Sequence, residues 1–294
     1  MSTRRDFMKL IAAGALGLSR TALAAEAISR KGGPNMKVAC AAYSYRKYLT
    51  AEEEPMTLEE FLDTAAELGC DGVEITSYYF PVPLRVDYIN RLKRRAFVLG
   101  LDICSMSIRN NFCMPPGPGR DKEVLSVKEW IGWASDLGAP CVRVFAGEVP
   151  KGAKNEDAIR WVAECVDSCA DVAAEKGVVL ALENHGELTS SVENTLAIVR
   201  SVRSEWFGLN LDTGNFRSED PYRDIERAAP YAVTTHVKVT VGHSSGRKPA
   251  DYKKIATILK RAGYRGYMVL EYEAAEDPKI VVPGIIKSMK EAAS

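Results

Sequence analysis

Net charge, histidine and paired cysteines are scarce in this 294-residue chain, and each scarcity removes a class of function. Basic and acidic side chains balance at 39 each, so no overall field draws the chain to a polyanion, and nucleic acid is not an expected partner. Seven cysteines are an odd number and include no Cys-x-x-Cys pair, which argues against a disulfide framework. Cys40, Cys104 and Cys141 fall in strand-like runs, and Cys165 and Cys169 are spaced one helical turn apart. Buried free thiols are therefore expected, with Cys113, in a loop, the one to watch. No Gly-x-Gly-x-x-Gly follows the first strand-like run, so the fingerprint of a dinucleotide-binding sheet is missing. Only three histidines occur, His185, His236 and His243.

The N-terminal apolar run, LIAAGALGL, is too short and too rich in Gly and Ala to anchor the chain in a bilayer. It follows Thr3-Arg4-Arg5-Asp6-Phe7-Met8-Lys9 and precedes the small-x-small pattern Ala22-Leu23-Ala24, an arrangement similar to a twin-arginine export signal. The expected organisation is a signal over 1–24, a polar linker over 25–35 and one catalytic domain over 36–294. A partner in the twin-arginine export machinery and a periplasmic or extracellular destination follow. That route carries folded proteins, so a metal can be inserted before export.

From residue 36 onward, hydrophobic period and glycine punctuation give eight strand-like runs: 36–44, 72–76, 101–107, 141–147, 178–184, 207–212, 232–239 and 266–272. Helix-length amphipathic stretches separate them. The first opens on Thr57 with Glu60 three residues later, a capping box, and closes on Gly69. Crossovers long enough to hold a helix require parallel strand pairing. The expected fold is α/β, a single (β/α)8 barrel, whose site lies at the carboxyl ends of the strands.

Those ends carry Glu183, Asp212, His236 and Glu271 on four successive runs. Side chains alternate along a strand, so Glu183 shares an inward face with Val179 and Ala181, Asp212 with Asn210, His236 with Thr234, and Glu271 with Val269. All four point toward one axis. Three carboxylates and one imidazole suit a single divalent ion, Mn²⁺ first, with Mg²⁺, Co²⁺ and Zn²⁺ behind it, because no thiolate favours a softer metal.

These motifs, Glu183-Asn184-His185, Leu211-Asp212-Thr213-Gly214-Asn215, His236-Val237-Lys238, Leu270-Glu271-Tyr272 and Gly72-Val73-Glu74, resemble those of the xylose isomerase-like TIM barrels, the sugar phosphate isomerase/epimerase family, over about residues 36–292. The resemblance implies that Glu183, Asp212, His236 and Glu271 bind one Mn²⁺ or related ion and that the two glutamates move protons. Asn215 stands where several epimerases of the family carry a substrate-contacting histidine. Endonuclease IV, a relative with the same barrel, holds three zinc ions with many histidines, and three histidines do not suffice for that.

The expected chemistry is isomerisation or epimerisation of a sugar, unphosphorylated outside the cytoplasm, through an enediolate formed by carboxylate proton transfer. A 3-keto-glycoside lyase or hydrolase using the same proton abstraction and a non-catalytic sugar-binding protein are the alternatives. Substrate contacts are expected from His185, Lys238, Asn215, Glu74, Arg109 and Arg143. His185 contacts substrate or orients Glu183. Lys238 anchors a substrate oxygen or pairs with Glu74. Tyr43, Tyr45, Tyr78, Tyr79 and Trp133 stack on a sugar ring or simply pack, and the loop over 109–120 covers the site or merely connects. A small-molecule carbohydrate is the expected partner, and a homo-oligomer is compatible with the sequence.

Overall fold

The computed structural model describes residues 27–294; the export signal expected over 1–24 lies outside them. Ten strands occur among the described residues: β1 Asn35–Ala41, β2 Gly72–Thr76, β3 Asp102–Ser107, β4 Cys141–Phe145, β5 Val179–Glu183, β6 Phe207–Asp212, β7 Ala232–Val237, β8 Thr240–His243, β9 Gly246–Pro249 and β10 Arg265–Leu270. Eight of them close a parallel barrel in the order β1-β10-β7-β6-β5-β4-β3-β2. The outer helices are α1 Leu58–Glu67, α2 Val86–Val98, α3 Pro118–Leu137, α4 Asn155–Lys176, α5 Val192–Ser201, α6 Pro221–Ala228, α7 Tyr252–Arg261 and α8 Pro278–Ala293. The expected (β/α)8 barrel is present.

Local chemistry explains the boundaries. Thr57 Oγ1 accepts from Glu60 N at 3.1 Å while Thr57 N donates to Glu60 Oε2 at 2.7 Å, so both ends of the expected capping box are satisfied at the start of α1. Helices α3 and α4 end on Gly138 and Gly177 in the left-handed conformation, φ 82° and 66°, which only glycine adopts without strain. Strands β2 and β6 are buried along their whole length, as a sheet covered by helices requires.

Several boundaries differ from the sequence reading, and the last barrel strand ends at Leu270, one residue before Glu271. The first strand stops at Ala41, because 42–45 turn as a 3-10 helix that buries Tyr45 against Phe61, ring centroids 5.9 Å apart. Tyr45 is therefore core, and Trp133 also packs against the core. The seventh strand stops at Val237, and an antiparallel hairpin, β8 on β9, follows it. Helix α3 starts at Pro118, so it takes the end of the presumed 109–120 loop; Cys113 is fully buried there. All seven cysteines are free and buried, as expected.

The barrel interior is layered. Lys37, Asp102 and Tyr267 close the floor, with Lys37 Nζ 2.8 Å from Asp102 Oδ2 and the Tyr267 hydroxyl donating to the same oxygen. Above them lie small apolar side chains, Ala39, Ala41, Cys104 and Val269. The polar cluster fills the mouth. Ahead of β1, within the expected linker, Ile28 N donates to Pro230 O at 2.9 Å and Arg30 lies over the Tyr264 ring at 5.3 Å. No helix among the described residues is long and apolar enough to cross a membrane.

Candidate metal centre

Parallel pairing aligns the four predicted side chains. Asp212 on β6 sits in register with His236 on β7, His236 with Val269 on β10, and Glu183 at the end of β5 with Asn210 on β6. One ligand atom from each of Glu183, Asp212, His236 and Glu271 falls within 4.8 Å of all the others, and all four residues are buried. His236 Nδ1 is 3.2 Å from Glu183 Oε2 and 3.4 Å from Glu271 Oε2. Its geometry to those oxygens falls short of a formed hydrogen bond, and Asp212 Oδ2 forms none either, with Lys238 Nζ its nearest cation at 3.4 Å. Buried polar atoms are rarely left so. Two orphaned ligand atoms aimed at one point, within a ring of carboxylates, fit a divalent cation.

Charge supports the same fit. Glu74, Glu183, Asp212 and Glu271 are buried carboxylates, and Arg143 and Lys238 are buried cations; fully ionised, with His236 neutral, these six groups sum to minus two. Uncompensated buried charge is costly, and a dication balances it. Without a cation, protons take its place: burial pushes Asp212 up to about 7, with neighbouring Glu183 and Glu271 adding to the shift against the pull of Lys238. Burial disfavours charge on His236, but Glu74, Glu271 and Glu183 overcome it and raise its pKa well above the ordinary value.

The short motifs have local reasons. In Asp212-Thr213-Gly214, Asp212 Oδ1 accepts from Gly214 N at 2.7 Å and the Thr213 hydroxyl accepts from Lys238 N at 3.2 Å. A Cβ on Gly214 would lie 2.7 Å from Lys238 Cγ and from Thr240 O, so only glycine lets Lys238 pass. The Asn184 amide clamps the Asp212 backbone from both sides, donating to its carbonyl at 2.9 Å and accepting from its N–H at 2.8 Å.

The remaining predicted residues divide. His185 Nδ1 lies 3.1 Å from Glu183 Oε1, and the imidazole is half exposed over the Phe145 ring. Its bond to Glu183 raises its pKa. Asn215 Nδ2 donates to Glu183 Oε1 at 3.4 Å. Arg109 is exposed at the rim, over Tyr78. Arg143 is buried beneath the site: its Nε is 3.1 Å from Glu183 Oε2 and 3.2 Å from Ser107 Oγ, and its Nη1 donates to Ile108 O. Glu74 is buried behind His236, both oxygens 3.0 Å from Nε2. Burial would raise the Glu74 carboxyl, but His236 holds it below the usual range.

The suggested Lys238–Glu74 pair does not form. Lys238 reaches the other way, to Glu271, to Glu273 at 2.7 Å and toward Asp212 at 3.4 Å, because Glu74 is already taken by His236. Sequence reasoning missed Glu273 and gave Asn184 no role beyond its place in the Glu183-Asn184-His185 motif. Glu273 was findable, two positions after Glu271 on the same parity.

The fold and site define a parallel barrel with a carboxylate–imidazole centre at its C-terminal mouth. The sequence profile of the xylose isomerase-like TIM barrel family matches residues 62–292, and the chain belongs to that family. A Xenopus laevis protein named "Putative hydroxypyruvate isomerase" is 23% identical over 176 residues, 54% of this chain and 64% of its own length. The chain thus spans under two thirds of that relative. The solved structure of 3-keto-D-glucoside 4-epimerase from E. coli superposes with TM-score 0.69 at 16% identity, over 87% of this chain and 100% of that one. That of the IolI protein with a bound zinc atom gives TM-score 0.69 at 17% identity, over 87% and 96%.

Proposed function

We propose that the protein is a divalent-metal-dependent sugar isomerase or epimerase that moves a proton at a carbon beside a carbonyl. The convergence of Glu183, Asp212, His236 and Glu271 within 4.8 Å carries this reading. Family membership and relatives named as an isomerase and an epimerase support it. The donor set is oxygen-rich with one imidazole, which favours Mn²⁺ over zinc. A divalent ion bound there supplies Lewis-acid charge that polarises a carbonyl and acidifies the neighbouring C–H.

The chain's own residues divide the remaining work. Glu183 accepts hydrogen bonds on both oxygens, from Asn215 on Oε1 and Asn210 on Oε2, with Arg143 also on Oε2; its position is fixed. Glu271 accepts one, from Lys238 on Oε2, so it is the freer carboxylate to take a proton from carbon. Lys238 neutralises the charge beside it. His185, half exposed and bonded to Glu183, links that carboxylate to the cleft and completes proton return from the other side. Glu74 holds His236 by its rear nitrogen, so that Nδ1 faces the site.

Metal analysis of purified protein, followed by NMR of a keto-sugar panel in D₂O with and without chelator, tests the reading. Deuterium should enter the carbon beside the carbonyl, stop with chelator and resume with Mn²⁺. Protein that retains no divalent ion and exchanges no deuterium would overturn it. Export of the folded enzyme by the twin-arginine route rests on Arg4-Arg5 and Ala22-Leu23-Ala24. Replacing both arginines by lysine should leave the protein in the cytoplasmic fraction of the cell; unchanged fractionation would remove that part.

A further inference from the structure

Lys238 brings a buried ammonium against the metal centre, and carboxylates crowd around it. Its Nζ donates to Glu271 Oε2 and lies 2.7 Å from Glu273 Oε2 and 3.4 Å from Asp212 Oδ2. Two of those three carboxylates belong to the four-residue ligand set, and Asp212 Oδ2 is one of its orphaned atoms. A positive charge resting on two ligands opposes the arrival of a dication, because like charges repel strongly where solvent is excluded. Glu273 has no such double duty. It is outside the ligand set, its side chain is 35% exposed against 3% for Lys238, and among the described residues no other cation comes within ion-pair reach of it.

The backbone that carries Glu273 is held firmly although it lies beyond the end of β10. Glu271 N donates to Val237 O at 3.1 Å. Buried Ser44 donates to Leu270 O at 3.0 Å and accepts from Tyr272 N at 2.9 Å. Arg46, its guanidinium over the Tyr43 ring at 5.0 Å, donates from Nη1 to Tyr272 O at 2.7 Å and from Nη2 to Glu273 O at 2.9 Å. The turn after β1 thus fixes 270–273, and Glu273 meets the same ammonium as Glu271 from two positions further along the chain. A partly exposed ion pair contributes little to stability, so the gain in folding does not account for this framing.

We propose that Glu273 is a positioning residue of the metal centre, which holds the Lys238 ammonium back from Glu271 and Asp212 and so leaves their oxygens available to a divalent ion. The inference rests on the divalent-metal reading above and concerns this chain's own residues toward that ion. Lys238 is the internal rival of the metal, and Glu273 is the counter-charge that keeps the rival paired while the ligands are engaged. Without Glu273 the ammonium has only Glu271 and Asp212 to pair with.

The test is a double-mutant cycle on the purified protein at one fixed pH, read by the electron paramagnetic resonance signal of free Mn²⁺, so that no turnover is needed. Glu273→Gln should weaken Mn²⁺ binding about tenfold, the smaller end of what loosening the support of a metal's ligands costs. Lys238→Met removes the rival charge and should tighten binding several-fold. Adding Glu273→Gln to Lys238→Met should then change the affinity by less than about threefold, because a carboxylate that acts through an ammonium has nothing left to act on. Lys238→Gln, which keeps a hydrogen-bond donor for Glu271, repeats the cycle should the methionine variant not fold. An unchanged Kd in Glu273→Gln, an equal loss from it in both backgrounds, or weaker binding on removal of the Lys238 charge would each overturn the proposal while wild-type binding leaves the metal reading in place. Wild-type protein that takes up no Mn²⁺ overturns the metal reading and this inference with it.

Discussion

At the floor of the barrel, Lys37 and Asp102 pair at 2.8 Å with side chains about half exposed, 49% and 56%, and Tyr267 completes the group. At the mouth, Glu183, Lys238, His236 and Asp212 are nearly inaccessible, yet His236 Nδ1 and Asp212 Oδ2 lack hydrogen-bond partners. Both regions bring charged side chains from different strands onto one axis. The floor is finished by protein alone and remains wet. The mouth is dry and balanced only when a cation is counted. A solvated pair needs nothing further and contributes little, whereas buried groups left unsatisfied imply a missing partner.

The most damaging way to break this contrast is at the ligands. Asp212→Asn keeps the shape but removes one anion and the orphaned carboxylate oxygen; the purified variant should carry no stoichiometric divalent ion, and keto-sugar exchange should fall to background. Metal analysis beside the wild type checks both. Glu271→Gln should cost roughly 10²–10⁴ in kcat, the usual range for a positioned acid or base, while retaining measurable metal binding by calorimetry. Retention of full activity would return proton abstraction to Glu183.

Glu74 probes the second layer. Glu74→Gln leaves all four ligands but loosens the hold on His236 Nε2, and a loss of about 10–100-fold in metal affinity is expected. An unchanged Kd would mean that His236 is positioned by packing alone.

Metal affinity should also depend on pH in a definite sense. Below about 7 the Asp212 carboxyl is protonated, and the Glu74, Glu271 and Glu183 carboxylates raise the His236 imidazole so that it too holds a proton more tightly than usual. Binding must displace those protons, so affinity falls as pH drops through about 7. Calorimetry in buffers of different ionisation enthalpy counts them directly. The smallest effect belongs to the floor: Lys37→Met should cost about 1 kcal/mol or less in thermal unfolding and leave metal content untouched.

Much of this was legible before any coordinates. The ligands could be read because each closes a run of period-two side chains, and period two fixes which face of a strand a residue occupies. The capping box at Thr57 and the helix-ending glycines are local chemistry and needed no tertiary information. The β8–β9 hairpin was not legible, since β9, Gly-Arg-Lys-Pro, is exposed throughout and carries no apolar alternation. The role of Glu74 was hidden for a different reason. Its partner is 162 residues away, and nothing near Glu74 in the chain distinguishes a rim carboxylate from one behind a histidine.

By itself, then, the order of residues determined the alternation of strand and helix, the inward parity of the four ligands and the thiolate-free make-up of that ligand set, all of which depend on neighbours within a few positions. Barrel closure decided the rest. It turned Lys238 away from Glu74 and onto Glu271 and Glu273, sank Arg143 beneath Glu183 and set His185 on Phe145. Those choices depend on which side chains meet across strands far apart in sequence, where competition for a single buried partner sets the outcome.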